Sequence, residues 1–146
     1  MTSQLTLGWR LRPGAGNVTE RRHLDFLVDG QSLFVTLQAG DYDLIGRLGW
    51  EGHAEDTAAI EQLLLQTPSP ISDGRHMLFV CPECGDLGCG ALTVQIAATS
   101  DGIIWRDFAH ENNYDPDMTE RERFRPVGPF IFAAEQYAEA LRRRGA

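Results

Sequence analysis

The sequence predicts an α+β fold: a single domain with a mostly antiparallel sheet built from hairpins and two helices packed on it. Three observations carry this expectation. Leu5, Leu7, Trp9 and Leu11 alternate with polar or small residues, as do Leu24, Phe26 and Val28 and later Leu92, Val94 and Ile96. That period of two marks half-buried strands. The pairs Asp29-Gly30 and Asp101-Gly102 fall between such runs, where a tight hairpin turn needs them. Two stretches, around Ile60-Leu63-Leu64 and Ala134-Tyr137-Ala138-Leu141, carry apolar residues three and four apart, the spacing of one helix face.

Taken in order, residues 5–11 read as a strand closed by Pro13-Gly14-Ala15-Gly16-Asn17, and residues 22–38 as a hairpin whose second arm is Leu33, Val35 and Leu37. Residues 39–55 read as a glycine-rich loop with a short irregular strand around 43–48. A helix is expected over 56–66, capped by Asp56-Thr57 and stopped before Thr67-Pro68-Ser69-Pro70. Asp73-Gly74 marks a turn. Met77–Val80 is a continuous apolar run suited to a central strand, and it should neighbour the hairpin of residues 92–108 in one antiparallel sheet. Residues 110–126 read as a polar surface excursion with one helical turn. Gly128-Pro129-Phe130-Ile131-Phe132 returns to the core, and 133–143 is the second helix. Arg142, Arg143 and Arg144 complement the negative end of its dipole, which explains them without an anion site.

At 146 residues the chain is long enough to bury a core without staples, and no Pro/Ser/Gly linker divides it. Its 42% hydrophobic and 23% charged content is that of a globular protein. A net charge of −8 argues against nucleic acid and anionic membrane as partners, both of which recruit clustered positive charge. A basic protein partner suits it better. All 13 basic residues are arginine, as GC-rich coding produces, so lysine-dependent Schiff-base and P-loop chemistry is excluded. Met1-Thr2-Ser3-Gln4-Leu5 has neither a basic nor a continuous apolar leader region, and no apolar run reaches membrane-spanning length. The expected location is the cytoplasm, where thiols stay reduced and grouped cysteines favour metal or redox chemistry.

All three cysteines lie in Cys81-Pro82-Glu83-Cys84-Gly85-Asp86-Leu87-Gly88-Cys89-Gly90, spaced C-x2-C-x4-C. The first pair has the form of a metal knuckle, two thiolates on a tight turn with Gly85 free to take positive φ. Zinc needs four ligands, so a fourth must come from elsewhere; His110, His76 and Asp86 are the candidates. Position 76 lies on a strand away from the loop, and His110 qualifies if its strand returns beside Met77–Val80. Without an H-E-x-x-H pattern, a structural zinc outranks a catalytic one. A thiol-redox reading uses the same residues but lacks the helix that follows the pair in thioredoxin-like sites. The plainest alternative is a glycine-shaped turn whose small cysteines pack as weak hydrophobes.

Other constellations are weaker. No G-x-S-x-G elbow, G-x-x-x-x-G-K or G-x-G-x-x-G fingerprint occurs, and no catalytic residue is assigned. The acidic sets Asp41, Asp43, Glu51, Glu55, Asp56 and Asp115, Asp117, Glu120 read as solvated loops. Trp105 and Phe108 read as core, given the apolar area each ring buries.

The run Leu78–Gly90, followed by Trp105-Arg106-Asp107-Phe108 and Gly128-Pro129-Phe130-Ile131-Phe132 with Tyr137 and Leu141, resembles a group of hypothetical bacterial proteins, mainly actinobacterial. The resemblance covers residues 75–141. It implies a small cytosolic domain and carries over no catalytic residue. The expected function is therefore a non-enzymatic interaction or accessory domain whose cysteine loop holds a structural zinc, as a monomer or homodimer. The alternative is a small zinc- or thiol-dependent enzyme using the same loop.

Overall fold

The computed structural model describes residues 2–69, 71, 74–85, 87–112 and 119–143. Among these residues, eight strands and three α-helices form the α+β architecture: β1 (Leu5–Arg12), β2 (Arg21–Val28), β3 (Gln31–Ser32), α1 (Leu33–Thr36), β4 (Ile45–Gly46), α2 (His53–Leu63), β5 (Arg75–Val80), β6 (Ala91–Thr99), β7 (Gly102–Glu111), β8 (Phe130–Phe132) and α3 (Ala134–Arg143). The strands make two antiparallel sheets, β1-β2-β3 and β4-β5-β6-β7-β8. Single bridges join them at Leu24–Leu48 and Ser3–Phe132. The pairings therefore run in a circuit from β1 through β2, β4, β5, β6, β7 and β8 back to the segment before β1. No helix among the described residues is long and apolar enough to cross a membrane.

One core fills the space between the sheets, with Leu5, Leu24 and Phe26 from the first meeting Phe79, Leu92 and Trp105 from the second. Phe26 lies edge-on to both Phe79 and Trp105, with ring centroids 5.8 Å apart in each pair. Helix α3 closes one side: Tyr137 packs edge-on to Trp105 at 5.9 Å and is fully enclosed. Its hydroxyl accepts a hydrogen bond from Trp105 Nε1 (3.2 Å) and donates to the carbonyl of Leu63 in α2 (2.6 Å). The buried polar ends of both rings are thus satisfied, as burial of such groups requires.

The sheets approach closely at Gly46. A Cβ there would lie 1.8 Å from the carbonyl oxygen of Leu24, so only glycine fits. The Gly46 N–H donates to Nδ1 of buried His23 (2.8 Å).

Two expected elements differ. Residues 33–37 are not the second arm of a hairpin; pairing ends at Ser32 and the chain turns into α1. Asp25 draws it there, accepting from the Ser32 hydroxyl (2.5 Å) and from Phe34 N (3.0 Å), while Ser32 Oγ caps Val35 N (3.1 Å). Leu33 and Leu37 are buried but Val35 is 61% exposed, the burial of a helical turn. The helix expected over 56–66 is α2, which runs His53–Leu63, with Gly52 as its N-cap. Asp56 is not the cap: from inside the helix its carboxylate accepts from Gly49 N (3.1 Å).

The expected neighbours β5, β6 and β7 are adjacent and antiparallel. In the excursion after β7, residues 113–118, including Asp115 and Asp117, lie outside the described residues, as do Asp73 and Arg144. Glu122–Phe124 forms a 3-10 turn with Phe124 buried.

Candidate metal centre

Residues 81–90 connect β5 to β6, and the pair Val80–Ala91 closes the base of the loop. The first half folds on itself through Gly85 N to Cys81 O (2.9 Å), and the second is a 3-10 turn, Leu87–Cys89, ended by Gly90 N to Leu87 O (3.0 Å). Gly85 takes φ +69° and Gly90 φ +97°, values that a side chain resists. These turns bend the loop so that Cys84 and Cys89 face each other.

The three sulfurs converge. Their ligand atoms all lie within 4.8 Å of one another, and Cys84 Sγ and Cys89 Sγ are 2.6 Å apart. Tetrahedral zinc with Zn–S bonds of about 2.3 Å spaces its sulfurs by about 3.8 Å; the cluster as a whole is of that scale, but Cys84 and Cys89 are closer than this and must part to admit the metal. Burial pushes the Cys81 thiol up, but hydrogen bonds from the backbone N–H of Cys84 and Glu83, with those of the Cys84 and Cys89 thiols, outweigh it and hold it below its ordinary value. Backbone amides aimed at one sulfur are what a knuckle supplies to a thiolate ligand. Cys81 is half-buried, and Cys84 and Cys89 are exposed.

The loop rests on a small apolar cluster separate from the main core: Met77, Val80 and Ala91, with Trp50, Ile71 and Leu87 against them. Long-range contacts fix its orientation. Arg21 Nε donates to Pro82 O (2.9 Å), and its guanidinium lies 5.0 Å from the Trp50 ring centroid. Arg12 sits 3.7 Å from the Glu83 carboxylate. The Glu51 carboxylate packs where a Cβ on Gly85 would be, 2.3 Å from that position, and burial followed by the charge of Glu55 raises its affinity for a proton.

His110 reaches this corner by a route different from the expected one. Its strand, β7, pairs with β6 and not with β5, and His110 lies opposite Leu92. Its Nε2 comes within 3.2 Å of where a Cβ on Gly90 would sit, beside Cys89. The ring stacks on Tyr42 at 4.1 Å, and Tyr42 in turn donates to Glu120 (2.5 Å). Burial holds His110 below its ordinary value, which keeps a neutral ring nitrogen available. His110 stands at the rim of the three-sulfur cluster rather than within it.

His76 is placed elsewhere. It lies opposite Val94, about 16 Å along an extended strand from Cys81, and lines a shallow cleft with Pro68, Gly74 and Ile96. Asp86 lies outside the described residues. The acidic residues of the first loop are engaged in the fold: Asp43 pairs with Arg12 (2.8 Å), Asp41 with Arg123 (3.9 Å), and Asp56 with Gly49 N.

Sequence reasoning singled out the three cysteines, which the structure brings together, but missed Arg12, Arg21, Trp50 and Glu51, which seat the loop. Their contacts join residues dozens of positions apart, and no local spacing announces them. The chain matches no protein-family model, and neither a curated protein nor a solved structure is similar to it.

Proposed function

We propose that this chain is a non-enzymatic interaction domain in which Cys81, Cys84 and Cys89 hold a structural zinc, with His110 as fourth ligand. The convergence of three thiols within 4.8 Å on one loop carries the reading. Thiolate donors in this number favour zinc over hard cations such as magnesium or calcium, which take oxygen. The knuckle amides, the glycine bends and the Arg21–Pro82 tie would keep the three thiols gathered on one loop before the metal arrives. His110, whose Nε2 lies beside Gly90, is the ring that would supply the fourth donor as nitrogen. The metal would then pin the β5–β6 connection to β7, binding the rim of the sheet together.

An acidic surface, with 21 carboxylates against 13 arginines, supports a basic protein as the partner. Opposite charge on such a partner would speed the encounter and make its rate fall with salt.

Metal analysis of protein purified without a metal-affinity tag tests the reading. One zinc per chain, released by a chelator together with a loss of thermal stability, supports a structural site. Metal-free protein of unchanged stability in the presence of added zinc overturns it. Zinc that leaves without any effect on the fold favours the enzyme alternative, for which the exposure of Cys84 and Cys89 would give substrate access.

A further inference from the structure

A second site stands apart from the cysteine loop. Strand β7 carries a bulge: Gln95 pairs with Arg106 but Thr93 pairs with Ala109, so Asp107 and Phe108 together stand against the single residue Val94 of β6. Asp107 takes φ +57°, a left-handed conformation rare outside glycine. The conformation is held from beneath by buried Arg75, which donates to the Asp107 carbonyl (2.6 Å) and to the Thr93 hydroxyl (2.9 Å), and ion-pairs with Glu111 (2.8 Å). A buried guanidinium that ties the strained Asp107 peptide to Thr93 and Glu111 holds the bulge in place. Bulges and strained residues of this kind re-aim side chains beside binding sites.

The bulge opens a cleft of about 380 Å³ between β7 and the segment returning to β8. That volume suits a small organic ligand. Its floor is apolar, with Phe108 and Phe124 both 2% exposed. Its rim carries Arg106, Arg121 and Arg125, with Asp107 the one carboxylate in the lining. Arg106 donates from Nε to Gln95 (3.2 Å) and is exposed at the rim, and Arg121 has no side-chain hydrogen bond or ion pair to the described residues. Arg125 pairs with Glu122 (2.9 Å), but both are more than 70% exposed, so solvent screens the pair and a ligand can compete for it. Three guanidiniums around an aromatic floor, on a chain of net charge −8, form a local reversal of sign.

We propose that this cleft binds a small organic anion, its phosphate or carboxylate head held by Arg106 and Arg121 and its apolar body lying against Ile104, Val127 and Pro129, above the buried Phe108 and Phe124. Guanidinium forks match the planar or tetrahedral oxygens of such heads. Asp107 repels a head placed on its own side and so fixes the orientation. The site is independent of the cysteine loop, and its test does not involve zinc.

Backbone amide NMR of the full chain, titrated separately with phenyl phosphate, benzoate and inorganic phosphate, examines this directly. Saturable shifts at residues 106–108 and 127–128 with phenyl phosphate or benzoate, and weaker ones with inorganic phosphate, are expected; whichever ring compound binds tighter identifies the head group. The exposed double variant Arg106→Gln/Arg121→Gln should retain the amide pattern of the fold and bind about tenfold or more weakly. The absence of saturable shifts, shifts confined to other surfaces, or undiminished binding by the double variant each overturns the proposal.

Discussion

Arg21 Nε donates to the carbonyl of Pro82 across 2.9 Å, tying the end of the β1–β2 hairpin to the cysteine loop. Because Arg12 pairs with Arg21 across that hairpin and approaches Glu83, one end of the first sheet serves as the bracket for a loop of the second. Replacing Arg21 with Gln removes the tie and the stacking on Trp50. The loss expected is about 1 kcal/mol of stability in a denaturant titration, with zinc affinity weakened about tenfold, as for other groups that orient metal ligands. Unchanged zinc affinity would show that the loop shapes itself without the bracket.

Gly46 is a steric prediction. Its Cβ position lies 1.8 Å from Leu24 O and 3.2 Å from His23 Nδ1, and both obstacles are buried. Gly46→Ala must separate β2 from β4, and a loss of about 3 kcal/mol or more is expected on urea unfolding. A well-folded variant within about 0.5 kcal/mol of the parent would contradict the close approach.

The Tyr137 hydroxyl joins β7 to α2 through α3. Tyr137→Phe leaves Trp105 Nε1 without its acceptor and the Leu63 carbonyl without its donor, both in a sealed core. A destabilisation of about 2–3 kcal/mol is expected, with a change in Trp105 fluorescence. The ring itself remains, so the packing should persist.

The fold should also weaken in mild acid. Burial first, and then the charge of Arg10, lowers His23 from 6.5 to about 4; burial and Arg47 do the same to His76. The unfolded chain takes up these protons near pH 6.5 and the folded chain only near pH 4, so stability is level above that window and falls as pH drops through it. Each imidazole contributes at most about 1.4 kcal/mol per pH unit. Nδ1 of His76 has no hydrogen-bond partner among the described residues, so His76→Leu removes one titration at little cost in contacts. Melting temperatures between pH 6.5 and 4 should then fall less steeply than in the parent; an identical slope would show that His76 does not titrate on unfolding.

Sequence periodicity was a good guide wherever a run was long enough to separate two periods. The strand of residues 5–11, the β6–β7 hairpin and α3 were legible for that reason. Residues 33–37 were not: Leu33 and Leu37 are four apart, which two strand repeats and one helical turn both satisfy, and the choice fell to the distant Asp25 carboxylate. Asp25 and His23 themselves alternate with Leu24 and Phe26 and so read as solvent-facing, yet both are buried, one capping α1 and the other accepting from Gly46 N. Trp105 and Phe108 are three apart on a strand and still both point inward, because the bulge after Arg106 resets the alternation. At the cysteine loop, spacing revealed the thiols and the glycines that bend the chain. It could not reveal what the loop leans on, since Trp50, Glu51 and Arg21 arrive through tertiary packing.

X-ray absorption at the zinc edge, on protein loaded with one equivalent of zinc, examines the three-thiol corner most directly. Three sulfur neighbours at about 2.3 Å and one nitrogen neighbour at about 2.0–2.1 Å are expected, with the nitrogen lost in His110→Ala. A shell of oxygen and nitrogen alone would mean that Cys81, Cys84 and Cys89 converge for some purpose other than holding a metal.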